Sequence, residues 1–166
     1  MMYYVFETNI GWAAIAGSDG RIARMNLPMP TREAAVRAVH EGMSAEFVEC
    51  EHDFSGEAER IAAYFAGEQV RFRCELDLGK AGDFDRSVWA ACAEIPYGEV
   101  DSYGGIAERI GKPGAARAVG QALGRNPIPV IIPCHRVLRA DGHLGGFGCG
   151  LDWKVRLLGI EKHQAG

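Results

Sequence analysis

Apolar and polar positions alternate at period two in some stretches of the chain and recur at helical spacing in others, and this divides it into elements. Short apolar runs at 3–7, 11–16 and 21–27 read as strands, and Ser18-Asp19-Gly20 between the last two is a hairpin turn signal. Thr31 can cap a helix through about His40 that carries Ala35, Val36 and Val39 on one face. Ser55 can cap another over 56–66, with Ala58, Ile61, Ala62 and Phe65 as its stripe. Residues 70–78 alternate cleanly and predict a strand with Val70, Phe72, Cys74, Leu76 and Leu78 inward. The pattern describes a small α/β domain with an antiparallel sheet over 1–78, followed by a short glycine-containing linker at 79–84.

From 85 to 166 the pattern turns helical. Residues 85–94 place Val88, Trp89 and Cys92 at core spacing, with Ile95 following, and Pro96-Tyr97-Gly98 ends that helix. Ser102 can cap a helix to Ile110, Gly111-Lys112-Pro113 breaks it, and a second helix runs from Gly114 to about Gly124. Two short helices joined in this way form a helix-turn-helix candidate. On the second, Val119, Ala122 and Leu123 share one side, while Arg117, Gly120, Gln121 and Gly124 share the other. That outer face of small residues around one arginine suits close approach of backbone to a shallow surface, or equally helix–helix packing with a solvated Arg117. Residues 151–161 form a last helix, with Leu151, Trp153, Val155 and Leu158 expected inside.

The β-branched run 128–132 predicts a strand ended by Pro133, which places Cys134 at a strand end beside His135 and Arg136. A thiol flanked by basic groups in a turn is where thiolate is stabilised and becomes nucleophilic. Adjacent residues on an extended chain point apart, so His135 reaches the sulfur only if the chain turns or a water intervenes. The glycine-dense stretch 145–150 that follows is a loop able to bring backbone close to a flat ligand, or a plain wing loop.

Pro133-Cys134-His135-Arg136-Val137, preceded by Gly124-Arg125-Asn126-Pro127-Ile128-Pro129, resembles the signature of the O6-alkylguanine-DNA alkyltransferases. Ile95-Pro96-Tyr97-Gly98-Glu99-Val100, Ser102-Tyr103-Gly104 and Ala115-Ala116-Arg117-Ala118-Val119-Gly120 match the same family in order and spacing, so the similarity covers roughly 84–161. The resemblance implies an α/β (α+β) chain: a small N-terminal domain over 1–78, then a helical, winged-helix-like DNA-binding domain over 85–166. It implies irreversible, stoichiometric transfer of an alkyl group from O6 of guanine in double-stranded DNA, and from O4 of thymine as a second substrate, to Cys134. His135, acting through a water and held by Glu161, takes the thiol proton, and Asn126 orders the network. Arg117 enters the base stack, Tyr103 crowds the phosphate, and Ala118 and Gly120 lie against DNA. Phe147, Leu123 and the backbone at Val137 and Gly148 line the base pocket. Phe147 stands where relatives commonly carry Tyr, and Cys149 where they carry glycine, which bears on substrate range and oxidation sensitivity.

Composition changes this picture in three places. Residues 1–96 hold 9 Lys and Arg against 16 Asp and Glu, whereas 97–139 hold 6 against 3, so the basic excess gathers around the Cys134 motif and fits a small phosphate footprint. Five cysteines at 50, 74, 92, 134 and 149, an odd number with no close pair, argue against a disulfide framework, and Cys74 and Cys92 read as core. The spacing of Cys134, His135, His143 and Cys149 matches no usual zinc pattern, so neither metal nor cofactor is expected. No run is long enough to span a membrane and the start lacks a basic signal-peptide region, which predicts a cytoplasmic protein, and the resemblance implies a monomer, with cooperation along DNA left open. Two other readings stay open on the residues alone: a non-enzymatic winged-helix lesion sensor or regulator, and a Cys-His-Glu hydrolase turning over through a thioester.

Overall fold

The computed structural model describes residues 1–165, with side chains described through Lys162. The chain divides into two compact units, Met1–Gly79 and Lys80–Gly166. Among the described residues no helix is long and apolar enough to cross a membrane.

In the first unit, β1 (Met2–Thr8), β2 (Gly11–Ser18), β3 (Arg21–Met25) and β4 (Val48–Glu49) form a sheet in the order β3-β2-β1-β4. The pairs β1/β2 and β2/β3 are antiparallel and β1/β4 is parallel. The β2–β3 hairpin turns at Asp19 and Gly20, with φ of 53° and 75°, the left-handed pair that matches strand twist. Helices α1 (Arg32–His40) and α2 (Ser55–Phe65) pack on this sheet. Residues 13–17 of β2 are all buried, as a central strand covered on both faces requires. One core cluster joins Val5, Ala14 and Ala16 of the sheet to Ala35 and Val39 of α1.

Thr31 caps α1 as expected, its hydroxyl accepting the Ala34 N–H at 3.1 Å. Ser55 does not cap α2; Phe54 occupies the cap position and Ser55 is already helical. The strand expected at 70–78 is not a paired strand. Its alternation survives as alternating exposure, but the segment pairs with β3 through one bridge, Ile22 to Leu76, carried by two backbone hydrogen bonds. Cys74 on it is only half-buried rather than core, for want of a second neighbour to cover it.

In the second unit, α3 (Asp83–Ala93) begins inside the stretch read as linker. It packs on α4 (Tyr103–Arg109) and α5 (Ala116–Gly124), the two helices of the helix-turn-helix. Ser102 caps α4, accepting the Gly105 N–H at 2.9 Å. Helix α5 starts two residues later than expected because Gly114, at φ 87°, still belongs to the turn. Trp89 Nε1 donates to the Ala122 carbonyl at 2.9 Å and ties α3 to α5 in the interior, beside the buried Cys92. A two-stranded parallel sheet joins β5 (Asp101–Ser102) to β6 (Val137–Leu138), and α6 (Leu151–Ala165) follows the glycine-rich loop.

The run 128–132 is not a strand. Pro129 and Pro133 each remove a ladder donor, Val130 adopts φ 75°, and the chain closes into a tight turn in which the Ile132 N–H donates to the Ile128 carbonyl at 2.9 Å. A β-branched residue at positive φ costs about 1–3 kcal/mol, and here the side chain is 1% exposed, so burial holds Val130 there. The face expected of α6 is also wrong. Leu151 and Val155 are 50% and 54% exposed and Trp153 and Leu158 half-buried, while Lys154, Leu157 and Glu161 are the buried positions.

Candidate active site

Cys134 opens a single 3-10 turn, Cys134–Arg136, that directly precedes β6. The turn supplies the change of direction that an extended chain lacks, and it sends three consecutive polar side chains into the interior: Cys134, His135 and Arg136 are 5%, 0% and 8% exposed. Asn126, two residues beyond α5, holds the thiol in place. Its Nδ2 donates to the Cys134 Sγ at 3.1 Å and to the Ile132 carbonyl at 2.8 Å, and its Oδ1 accepts the Ile128 N–H at 2.9 Å. One side chain therefore fixes the 126–132 turn and the sulfur together.

Burial pushes the Cys134 thiol up to about 12, against the smaller opposing pull of the Asn126 hydrogen bond. The resting sulfur is a neutral thiol that needs a base at the moment of attack. His135 is adjacent, and burial lowers its pKa despite the raising effect of Glu161, so its imidazole is neutral and able to accept a proton.

Its Nε2 lies 2.9 Å from Glu161 Oε2. The other carboxylate oxygen, Oε1, accepts from Arg136 Nε at 2.7 Å and from Arg136 Nη2. Arg136 Nη1 donates to the Ile95 carbonyl at 2.7 Å, and the guanidinium lies 5.8 Å from the Tyr97 ring centre. Burial alone would raise the Glu161 carboxyl, but the hydrogen bonds and charges of His135 and Arg136 outweigh it and hold the group below its usual range. Glu161 is thus ionised, buried and bound through both oxygens, a turn before the end of α6.

Outside the thiol lies a cavity of about 1100 Å³, lined by Cys134, by α5 through Arg117, Gly120 and Leu123, by Tyr103, and by Phe147 and Gly148 of the loop. Arg117 is exposed at its edge, and Ala118 is half-buried and outside its lining. Gly120 carries the Tyr103 ring: a Cβ there would sit 3.6 Å from the ring. Gly145 cannot be replaced without movement, since it has φ 71° and its Cβ would fall 2.7 Å from the Tyr103 hydroxyl. The Val137 side chain is fully buried in β6, and its carbonyl accepts from Lys154 at 2.7 Å. Cys149 is exposed and does not line the cavity.

Two residues escaped the sequence reading. Arg136 was seen only as a thiolate neighbour, yet it is the anchor of Glu161. Lys154 is 0% exposed and donates to the carbonyls of Val137 at 2.7 Å, Gly146 at 3.2 Å and Leu144. Its spacing from Leu157 and Glu161 on one face of α6 was the available signal, hidden by the expectation that lysine lies outside.

The comparisons with known proteins fall on the same residues. Residues 83–163 match the family model described as 6-O-methylguanine DNA methyltransferase, DNA binding domain. The chain is 45% identical over 163 residues to a methylated-DNA–protein-cysteine methyltransferase of Mycolicibacterium paratuberculosis, covering 98% of this chain and 93% of that protein. The corresponding protein of Methanosarcina acetivorans is 42% identical, covering 97% and 98%. Among solved structures, Mycobacterium tuberculosis OGT in complex with DNA aligns at a TM-score of 0.84 with 40% identity, covering 99% of this chain and 94% of that one. An enzyme of a hyperthermophilic archaeon, Pyrococcus kodakaraensis, aligns at 0.72 and 24% identity, a likeness of fold. With nearly full-length relatives of this identity on both sides, the chain belongs to the methylated-DNA–protein-cysteine methyltransferase family.

Proposed function

We propose that this chain repairs DNA by direct reversal, transferring the methyl or other alkyl group of O6-alkylguanine in a duplex to Cys134, once per molecule. The observation that carries the reading is a buried thiol lining a cavity roomy enough for a base, hydrogen-bonded by Asn126 and adjacent to a neutral histidine that is itself bound to an ionised glutamate. His135, through a water, takes the thiol proton, and Glu161 stabilises the imidazolium that forms. Sulfur attacks the alkyl carbon, the S–C bond forms as the C–O6 bond breaks, and the proton lost from the thiol balances the charge gained by the departing guanine. The thioether is too poor a leaving group to be displaced again, so the protein is consumed.

A target inside a duplex has to be rotated out, at a cost of a few kcal/mol. Arg117, exposed at the cavity edge, fills the vacated place in the stack, with Ala118 and Gly120 allowing α5 to lie close to DNA. Tyr103 presses the phosphate, and Leu123, Phe147 and Gly148 surround the extruded base. The first unit, which carries none of these groups, serves as support, and the chain acts as a cytoplasmic monomer on its DNA.

The test is intact-protein mass after incubation with duplex DNA carrying O6-methylguanine. A gain of one methyl group, located on Cys134 and ending at one equivalent, is the expected result. Tight binding without an adduct would favour a lesion sensor, and repeated turnover on small esters would favour the hydrolase.

A further inference from the structure

We propose that Arg139 is a phosphate-binding residue of this site, gripping the backbone beside the extruded nucleotide from the turn that follows β6, and that His143 keeps Arg139 free for this by holding the carboxylate of Asp141. The inference rests on the alkyl-transfer reading above and adds two residues to it.

The charge on the cavity wall is of one sign. Arg117 of α5 and Arg139 and His143 of the turn line the cavity, and no carboxylate does. A cleft lined by basic groups alone concentrates anions. The base that enters is neutral, whereas its backbone carries one negative charge per nucleotide, so the anion this wall meets is a phosphodiester. Arg139 and His143 are exposed, as groups must be that meet a backbone remaining outside while its base goes in.

The turn is built to present them together. The Arg139 N–H donates to the His143 carbonyl at 2.8 Å and the Gly142 N–H donates to the Arg139 carbonyl at 2.9 Å, with Gly142 at φ 84° closing the turn. Asp141 lies between them and is bound unequally. Its Oδ1 accepts the His143 N–H at 3.0 Å and lies 3.0 Å from His143 Nδ1, whereas its Oδ2 is 3.6 Å from Arg139 Nη2. The Asp141 carboxyl is accordingly held below its usual range by the hydrogen bonds of His143 first, with the Arg139 charge a smaller cause. A 3.6 Å contact between exposed groups is beyond hydrogen-bond length and contributes little. A phosphate offers the same guanidinium a bidentate, charge-assisted pair. Arg139 therefore exchanges Asp141 for a phosphate, and His143 keeps the carboxylate from following it.

A cycle between a side chain and a phosphate tests this directly. One single-stranded oligonucleotide carries O6-methylguanine between ordinary linkages; a second has uncharged methylphosphonate linkages on both sides of the lesion. Methyl transfer to Cys134 is read by mass under single-turnover conditions. In the wild-type protein the neutral linkages are expected to slow transfer about tenfold. Arg139→Gln is expected to slow transfer from the charged strand about fivefold or more and to reduce the penalty for neutral linkages to less than about threefold. Arg156→Gln makes the same change of charge on α6, outside the cavity lining, and is expected to keep the wild-type penalty. His143→Ala should lose about threefold on the charged strand, and adding Asp141→Asn should restore the rate to within about twofold of wild type, because the carboxylate that captures Arg139 is then gone. An Arg139→Gln variant that keeps the full penalty would overturn the inference, and so would an Arg156→Gln variant that loses it equally. A double variant no faster than His143→Ala would remove the role given to His143. A wild-type protein that accepts no methyl group from either strand would instead remove the alkyl-transfer reading itself.

Discussion

The two units use their buried positions in opposite ways. In Met1–Gly79 the interior is apolar, with Ala14, Ile15, Ala16, Ala35, Ile61 and Tyr64 all at 1% exposure or less, and Thr8 is the one buried polar residue among those described there. In Lys80–Gly166 the interior holds His135, Glu161 and Arg136 in one network of side chains and, apart from it, Lys154 bonded to backbone carbonyls. Buried ion pairs contribute little net stability compared with well-packed apolar groups, because desolvation offsets most of their attraction. Their presence in one unit and absence from the other therefore marks where geometry, rather than stability, is what the fold has to supply. The first unit is a core that holds itself together; the second holds a sulfur, a base and a cavity wall in register.

Four substitutions test that contrast, in order of their effect on transfer. Cys134→Ala is expected to abolish it entirely, with duplex binding kept within about threefold, as measured by adduct mass and by titration of labelled DNA. Glu161→Gln should slow transfer about 100-fold in single-turnover assays and cost about 3–5 kcal/mol in urea unfolding, since it leaves the Arg136 charge buried without its partner. Its pH signature follows from the lowered carboxyl pKa. The wild-type contribution is fully present above the unfolded value of about 4.3 and is lost as pH falls through the lower folded value, and the glutamine variant should lack this acid limb.

Arg117→Ala should slow repair of duplex about tenfold and leave a single-stranded substrate within about twofold, because the single strand has no stack to fill. Equal losses on the two substrates would remove the extrusion role. Ile15→Ala, in the first unit, is expected to cost about 2–5 kcal/mol of stability and to leave the transfer rate of the folded fraction unchanged. A slower rate there would break the contrast, because it would place part of the site's geometry under the control of the apolar core.

What was legible in the sequence was what local chemistry decides. The Asp19-Gly20 turn and the Thr31 and Ser102 caps are set by a few adjacent atoms, and each is where its residues place it. The Pro133-Cys134-His135-Arg136-Val137 motif pointed to the thiol that lines the cavity, and its likeness to the family named Asn126 and Glu161, whose contacts with the sulfur and with His135 the fold supplies. What failed did so where tertiary context overrides pattern. Residues 128–132 have strand composition but one proline inside, another directly after and no neighbouring strand to pair with, so they turn. Helix α6 buries Lys154 and Glu161 instead of Leu151 and Val155, because the acceptors and donors waiting inside the fold are polar. No periodicity rule finds a buried lysine, since hydropathy assigns it to solvent.

The placement of Lys154 and Glu161 on one helix has a consequence for the order in which the protein becomes reactive during its own synthesis. Both residues follow Cys134 in the chain, so a nascent or truncated polypeptide ending before α6 has its thiol but neither the carboxylate bonded to His135 nor the ammonium bonded to the Val137 carbonyl. Chains fold from the N-terminal side as they are made. A protein that can act only once thereby keeps its single equivalent unused until its last helix has docked.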